Sequence, residues 1–394
     1  MKNKLILFFL LSCFQNVYSQ LPMVNSIDPA KLLNNKKAFL NKESAVNEQV
    51  NQLIEIANSY LQDTAVAVTD KGFTPPSGSK HDYMSMGPYW WPDSSKADGL
   101  PYIRKDGLRN PEIRKITDRS NMGHLEMKCK ALSLAYYFTN KKEYADKAVA
   151  FLQVWFLNPE TKMNPNLDYA QAIPGLNDGR GIGIIESRLL ADLADWIGLL
   201  HGSPSLSSSD LNQLKDWYKT FLVWMLNSKN GKEEQMAQNN HGTYYDYQVA
   251  AFALFIGDKE QAKDILMETK KRIPVQLKQN GEQPLELART NAYGYSTMNL
   301  DGWFKIAFLG DKVGLDFWNY SADGKSLKKA LDYLSPYALE EKAFTYSQIS
   351  NYNKNDIYPL LLIAADKFNN KSYLEKAKLA GSGRYNFFSD LLYK

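Results

Sequence analysis

Residues 237–246, A-Q-N-N-H-G-T-Y-Y-D, combine residue types that can move protons and bind anions. His241 is one of four histidines in the chain, and imidazole is the side chain best suited to proton transfer near neutral pH. Asn240 can donate hydrogen bonds without adding charge. Tyr244 opens an apolar run that predicts a helix, so we expect the Asn-His pair in a loop or at that helix's N-terminus, facing a cleft. The alternative is a pair that only caps the helix.

Residues 285–303, L-E-L-A-R-T-N-A-Y-G-Y-S-T-M-N-L-D-G-W, hold a second candidate group. Arg289 is a permanent cation whose planar fork suits carboxylates. Tyr293 and Tyr295 follow at the start of a predicted helix. The alternative is a structural salt bridge from Arg289 to a nearby acid, Glu286 or Asp301, with both tyrosines in the core.

A third group lies in residues 62–117, which are rich in Pro, Gly, Ser and aromatics and show no helical pattern. A loop this long in a compact domain is usually functional or disordered, and its aromatic rings argue against disorder. Tyr89, Trp90 and Trp91 stand between two prolines and are expected to line a cleft wall or to anchor the loop.

Composition and missing motifs exclude several classes of protein. The histidines form no HExxH or HxH pair, so a zinc hydrolase is not expected, and we predict no metal or cofactor. The net charge of only +4 shows no strong excess of basic residues, so we do not expect nucleic-acid binding. The abundant acids leave a paired-carboxylate glycosidase open as an alternative.

The N-terminus resembles a secretory signal peptide, with Lys2 and Lys4 before an apolar run and cleavage expected after Ser19. We therefore predict a periplasmic or secreted protein with no membrane span. Lipid attachment at Cys13 is a less favoured reading. Without residues 1–19, the net charge falls to +2 and Cys129 is the sole cysteine, which allows no internal disulfide.

The remaining chain predicts helices in pairs with short joins, such as 120–139 with 142–157 and 243–256 with 258–272. A separate short helix is predicted near 312–319. Short joins produce antiparallel helical hairpins. We predict an all-α fold, an (α/α) toroid of such hairpins, formed by residues 20–394 as a single domain.

Four motifs in order resemble the alginate lyase superfamily, over about residues 80–310. They are H-D-Y-M-S-M-G-P-Y-W-W-P-D, N-P-N-L-D-Y-A-Q-A-I-P-G, N-N-H-G-T-Y-Y-D and E-L-A-R-T-N-A-Y-G-Y-S. The style of W-W-P-D and N-N-H-G-T resembles glucuronan lyases of polysaccharide lyase family thirty-eight more than alginate lyases of family five. The resemblance itself implies an (α/α) toroid.

The resemblance also implies site residues. The family's Asn-His pair corresponds to Asn240 and His241, its arginine to Arg289, and its catalytic tyrosine to Tyr295, with Tyr293 as the alternative. We predict that the substrate-binding residues are Asn239, Tyr244, Tyr293, Tyr89, Trp90 and Trp91.

The implied reaction is β-elimination in an anionic polysaccharide with β-1,4-linked uronates. Asn240 and Arg289 would neutralise the carboxylate next to C5. Tyr295 would remove the C5 proton and return it to the leaving oxygen, with its pKa lowered by Arg289 and His241. Two other functions stay open: a hydrolase on the same toroid, and a carbohydrate-binding protein without turnover.

Overall fold

The protein is described by a computed structural model that covers residues 20–381 and 386–394. The predicted signal peptide, residues 1–19, lies outside the described residues. Within them, no helix is long and apolar enough to cross a membrane. Most of the chain is helical. The first eight helices are α1 (Pro29–Leu40), α2 (Ser44–Tyr60), α3 (Asp118–Thr139), α4 (Lys142–Leu152), α5 (Arg188–Leu199), α6 (Ser208–Asn227), α7 (Lys229–Gln235) and α8 (Asn240–Ile256).

The second half of the chain continues this pattern with shorter pieces between long helices. It contains α9 (Lys259–Thr269), α10 (Ile273–Gln276), α11 (Pro284–Leu287), α12 (Ala292–Val313), α13 (Leu327–Ala338), α14 (Tyr358–Lys367), α15 (Ser372–Ala380) and α16 (Phe387–Tyr393). The prediction of a separate helix near 312–319 is wrong. Helix α12 continues to Val313 and ends at Gly314, whose φ of +74° a residue without a side chain adopts easily.

Local signals in the sequence set several helix ends. The Asp28 carboxylate accepts hydrogen bonds from the backbone of Ala30 and Lys31, at 2.9 and 3.1 Å, and Pro29 occupies the first turn. Helix α8 ends at Gly257 in the left-handed region, directly before the short join to α9. Tight joins of this kind make consecutive helices antiparallel.

Helices α3, α5, α8 and α12 pack side by side as an inner layer, and α4, α6 and α9 return along the outside. Helix α16 packs against α1 and α2, where the Asn35 amide donates to the Leu391 carbonyl at 3.0 Å. The predicted all-α toroid of helical hairpins is confirmed. Its buried apolar residues form one cluster from Val24 to Leu392.

The N-termini of the inner helices meet at one end of the toroid. Arg119, in the first turn of α3, lies 3.4 Å from Glu186, which precedes α5. The guanidinium of Arg188, at the start of α5, lies over the ring of Tyr244 in α8. Aligned helix N-termini carry partial positive charge. This end of the toroid therefore favours an anionic ligand.

The long non-helical segment lies over this end and contains three short strands. Strand β1 (Met84–Met86) pairs in parallel with β4 (Tyr169–Ala172), and β2 (Trp90–Trp91) pairs with β3 (Ile103–Arg104) in a hairpin. The sequence showed no alternating pattern here because strands of two to four residues are too short to display one.

Candidate active site

Tyr295 lies in the first turn of α12, between a residue of the long loop and a cation. Its hydroxyl oxygen is 2.6 Å from that of Tyr89. The guanidinium carbon of Arg289 stands 3.8 Å from the centre of the Tyr295 ring, a close cation–π contact. The structure thus brings together three of the residues that the sequence singled out.

Arg289 is held by Asp106, a residue that the sequence reading did not select. The Arg289 Nη2 donates to one oxygen of the Asp106 carboxylate at 3.1 Å, and the Arg289 Nε donates to the other oxygen at 3.4 Å. The Thr290 hydroxyl donates to the same carboxylate at 3.0 Å. The alternative pairing of Arg289 with Glu286 or Asp301 is wrong, and among the described residues the Arg289 Nη1 makes no hydrogen bond.

Asn240 lies at the start of α8, buried completely and held by Glu286. The Glu286 carboxylate accepts from the Asn240 backbone N–H at 2.6 Å and from its Nδ2 at 2.7 Å. Burial raises the pKa of Glu286, while Asn240, Arg289 and His241 oppose this shift. These residues therefore share one electrostatic environment, in which one of the two amide hydrogens of Asn240 is already engaged.

His241 is oriented by a second buried acid, Glu234, whose Oε1 lies 2.6 Å from the His241 Nδ1. When the imidazole is neutral, this contact keeps the proton on Nδ1 and leaves a lone pair on Nε2. The side chain of Asn239 caps α8 by accepting from the His241 backbone N–H at 3.2 Å. Asn239 therefore has a structural role at this helix end.

Gly242 explains why this motif needs a residue without a side chain. A Cβ at this position would lie 2.0 Å from the Ala237 carbonyl oxygen and 2.3 Å from the Arg272 Nη1. Arg272 itself donates to the Ala237 carbonyl and pairs with Asp246, each at 2.6 Å. The close approach fixes the path of the chain into α8, and so places His241.

The pKa of Tyr295 is raised, contrary to the sequence-based expectation. Desolvation is the largest cause, followed by the hydrogen bond and charge interaction with Tyr89, and these outweigh the lowering effect of Arg289. The Asp106 carboxylate also raises it, in addition to neutralising Arg289.

The other predicted binding residues lie in different surroundings. Tyr293 is fully buried, with its ring 4.4 Å from that of Tyr352 between centroids. Tyr244 is also buried, and its hydroxyl donates to the Met298 carbonyl and the Asp301 carboxylate, both at 3.0 Å. In the structure these two tyrosines are buried within the toroid.

Trp90 and Trp91 are half-buried in the β2–β3 hairpin. The Trp91 indole donates to the Leu108 carbonyl at 2.9 Å. The Trp90 ring lies 5.7 Å from the guanidinium of Arg180, over Gly87. In residues 20–381 and 386–394, no three His, Cys, Asp or Glu side chains come together as metal ligands.

The fold is an all-helical toroid with a tyrosine, an arginine and an Asn-His pair near the starts of two inner helices, and the family match assigns it to the polysaccharide lyases. The alginate lyase family profile matches residues 67–344. An alginate lyase from Bacteroides ovatus shares 36% identity and superposes with a TM-score of 0.90, over 95% of this chain and 99% of its own. The chain therefore belongs to the alginate lyase family.

More distant structures share the fold alone. A variant of alginate lyase A1-III complexed with a tetrasaccharide gives a TM-score of 0.62 at 12% identity, over 96% of this chain and 98% of its own. Alginate lyase A1-III from Sphingomonas species A1 gives 0.52 at 13%, over 86% and 94%. A search of curated proteins finds no significant match. Family membership favours the lyase over the hydrolase and the non-catalytic binder.

Proposed function

We propose that this lyase cleaves an anionic polysaccharide with β-1,4-linked uronates by β-elimination, using Tyr295 as base and acid. The contact of Tyr295 with Arg289 and Tyr89 carries this proposal. A phenolate at Tyr295 removes the C5 proton, the C4–O4 bond breaks as the C4=C5 double bond forms, and the proton passes to the departing O4. One tyrosine can both remove the C5 proton and return it to O4 where the proton and the leaving oxygen lie on the same face of the sugar ring, as in glucuronate and mannuronate.

Arg289 has the principal role in neutralising the uronate carboxylate, because its Nη1 is available among the described residues. Asn240 is completely buried and supports this role indirectly, because its backbone N–H and Nδ2 hold the Glu286 carboxylate, whose charge acts on Arg289. Negative charge that develops on the carboxylate during proton removal is thereby stabilised, as in an oxyanion hole. His241, whose Nε2 makes no hydrogen bond among the described residues, assists the proton transfer at the same site.

For the substrate, we propose a glucuronan-type polymer, on the strength of the W-W-P-D and N-N-H-G-T motifs. Alginate is the second candidate, because the relative at 36% identity is named an alginate lyase. Polyglucuronate, polymannuronate and polyguluronate should be assayed in parallel for the ultraviolet absorbance of an unsaturated uronate. We expect the strongest signal on polyglucuronate. Cleavage that produces reducing ends but no ultraviolet absorbance, on any of the three polymers, would contradict β-elimination.

Two further proposals accompany this function. The reaction should need no divalent ion, so a chelator should leave the ultraviolet signal unchanged, and loss restored by a metal would contradict the assigned roles. We also propose export to the periplasm or the exterior by the signal peptide at residues 1–19. Cell fractionation and N-terminal sequencing of the mature protein would test it.

A further inference from the structure

Beside the tyrosine pair lies a cavity of about 420 Å³ that the reaction described above does not use. We call it the arginine pocket. Among the described residues that line it, none is acidic. Its lining includes three cations and three apolar side chains, namely Arg109, Arg114, Arg119, Met86, Ile113 and Ile116. Its volume falls in the range of small-molecule sites.

The arginine pocket adjoins the reaction centre through the backbone on both sides of Tyr89. Asn110, which lines the pocket, donates its backbone N–H to the Pro88 carbonyl at 2.8 Å and its Nδ2 to the Trp90 carbonyl at 2.9 Å. Charge interactions with Tyr89 and Tyr295 oppose the lowering of the Arg109 pKa, as expected for groups that lie near one another. A sugar in the pocket would therefore be next to the sugar that Tyr295 attacks.

The cations of the pocket have unused hydrogen-bond capacity. Within the described part of the chain, Arg109 and Arg114 form no ion pair, whereas the neighbouring Lys115 pairs with Glu112 at 2.8 Å. The Arg119 Nη1 is buried without a hydrogen-bond partner, 3.4 Å from Glu186. The pKa of Arg109 is lowered by desolvation and then by the charge of Arg119. Adjacent, poorly paired cations favour an incoming anion.

We propose that the arginine pocket binds the carboxylate of the uronate next to the one being cleaved, with Arg109 and Arg114 as its main ligands. Met86, Ile113 and Ile116 supply an apolar wall for the C–H face of that sugar. The enzyme would then select chains with at least two successive uronates. This inference rests on the proposed function, since it assumes a polyuronate in the cleft.

Binding should be measured by calorimetry in the Tyr295→Phe background, so that the probe is not consumed. The probe is a tetrasaccharide of the uronate that the wild-type enzyme cleaves fastest, or of glucuronate if it cleaves none, beside the same oligosaccharide with its carboxyls reduced. Arg109→Gln with Arg114→Gln should weaken binding of the acidic probe about tenfold or more, as expected for lost charge-assisted hydrogen bonds. Binding of the reduced probe should change less than about twofold.

Lys115→Gln is the matched control for Arg114→Gln, because each removes one positive charge and Lys115 is not among the pocket-lining residues. It should weaken binding less than about twofold. If the double variant folds poorly, Arg114→Gln alone tests the inference, since this side chain is exposed. Recovery of binding in the corresponding lysine variants would support a role in charge recognition.

The two possible failures are distinguishable. The pocket inference is wrong if the double variant binds the acidic probe as tightly as its parent does, or if Lys115→Gln loses as much affinity for this probe as the pocket variants do. Either result would count even when the wild-type enzyme yields unsaturated products. If the wild-type enzyme yields none, the proposed function is wrong. In that case, a selective loss of acidic-probe binding in the double variant would still support the pocket inference.

Discussion

The hydroxyl oxygens of Tyr89 and Tyr295 lie 2.6 Å apart although 206 positions separate the two residues in the sequence. Tyr89 belongs to the long non-helical segment and Tyr295 to the first turn of α12. The contact makes the segment part of the proposed reaction centre. It also explains why a loop of this length persists in a compact helical protein, since it supplies both Tyr89 and Asp106 to the site.

The first prediction compares the two tyrosines of α12. Tyr295→Phe should lower kcat by about 10²–10⁴-fold, the usual contribution of a positioned acid-base group. Tyr293→Phe is the matched control, because the Tyr293 hydroxyl is buried without a hydrogen-bond partner in the described part of the chain. It should retain near-normal kcat and stability. Initial rates from ultraviolet absorbance would check both, and the opposite ranking would move the catalytic role to Tyr293.

The second prediction concerns pH. Because the pKa of Tyr295 is raised, its phenolate form becomes more populated as the pH rises, so kcat should increase from neutral into alkaline solution. Asp106→Asn removes a negative charge that raises this pKa and frees the charge of Arg289, which lowers it. The rising limb of the profile should therefore move to lower pH, by roughly one unit.

The control for this experiment is Asp98→Asn, an acid of the same loop that, among the described residues, accepts only from the Leu100 backbone N–H, at 3.0 Å. Its pH profile should match the wild type. A limb that moves to higher pH in Asp106→Asn, or a flat wild-type profile, would show that deprotonation of Tyr295 does not limit the rate.

Local patterns predicted more of this protein than long-range contacts. The helical hairpins follow from apolar residues at 3.6-residue spacing, which also predicts Tyr295 at a helix start and the pair Asn240 and His241 in a loop or at a helix N-terminus. The acids that orient the site carry no comparable signal. Asp106 meets Arg289 across 183 positions, a distance that depends on the tertiary path of a loop without regular structure. The raised pKa of Tyr295 likewise follows from burial, which spacing in the sequence does not report.

The third prediction separates the two tryptophans of the hairpin. Trp91 donates to the Leu108 carbonyl, so Trp91→Ala should lower the melting temperature by loosening the hairpin. Trp90 has no such bond among the described residues and lies against Arg180. Trp90→Ala should raise KM with little change in kcat, because uniform binding to the sugar is lost. Early melting with normal KM in both variants would make the hairpin a scaffold only.

The last prediction concerns a buried ion pair that ties the long segment to α3. The Lys71 Nζ lies 2.9 Å from the Asp118 carboxylate, and both side chains are fully buried. It also donates to the carbonyls of Val68 and Lys80 at 2.6 and 2.7 Å. Asp118 in turn accepts from the Met84 N–H at 2.9 Å, at the start of β1.

Burial raises the pKa of Asp118 from 3.8 to about 6 and lowers that of Lys71. A carboxyl group whose pKa is raised by folding stabilises the folded state at pH values below its pKa in the unfolded chain. This stabilisation is lost as the pH rises through about 6. Lys71→Met leaves a buried carboxylate without its partner, so the free energy of unfolding at pH 7 should fall by about 3–5 kcal/mol. At pH 5 the loss should be smaller, because Asp118 can take up a proton.

Urea unfolding followed by tryptophan fluorescence would measure these differences. The matched double variant, Lys71→Met with Asp118→Asn, should recover part of the loss at pH 7, because no charge is left buried. It should not recover all of it, since the hydrogen bonds from Lys71 to the Val68 and Lys80 carbonyls are still missing. A double variant as unstable as Lys71→Met, with the same loss at both pH values, would mean that these backbone contacts, and not the buried charge, determine the effect.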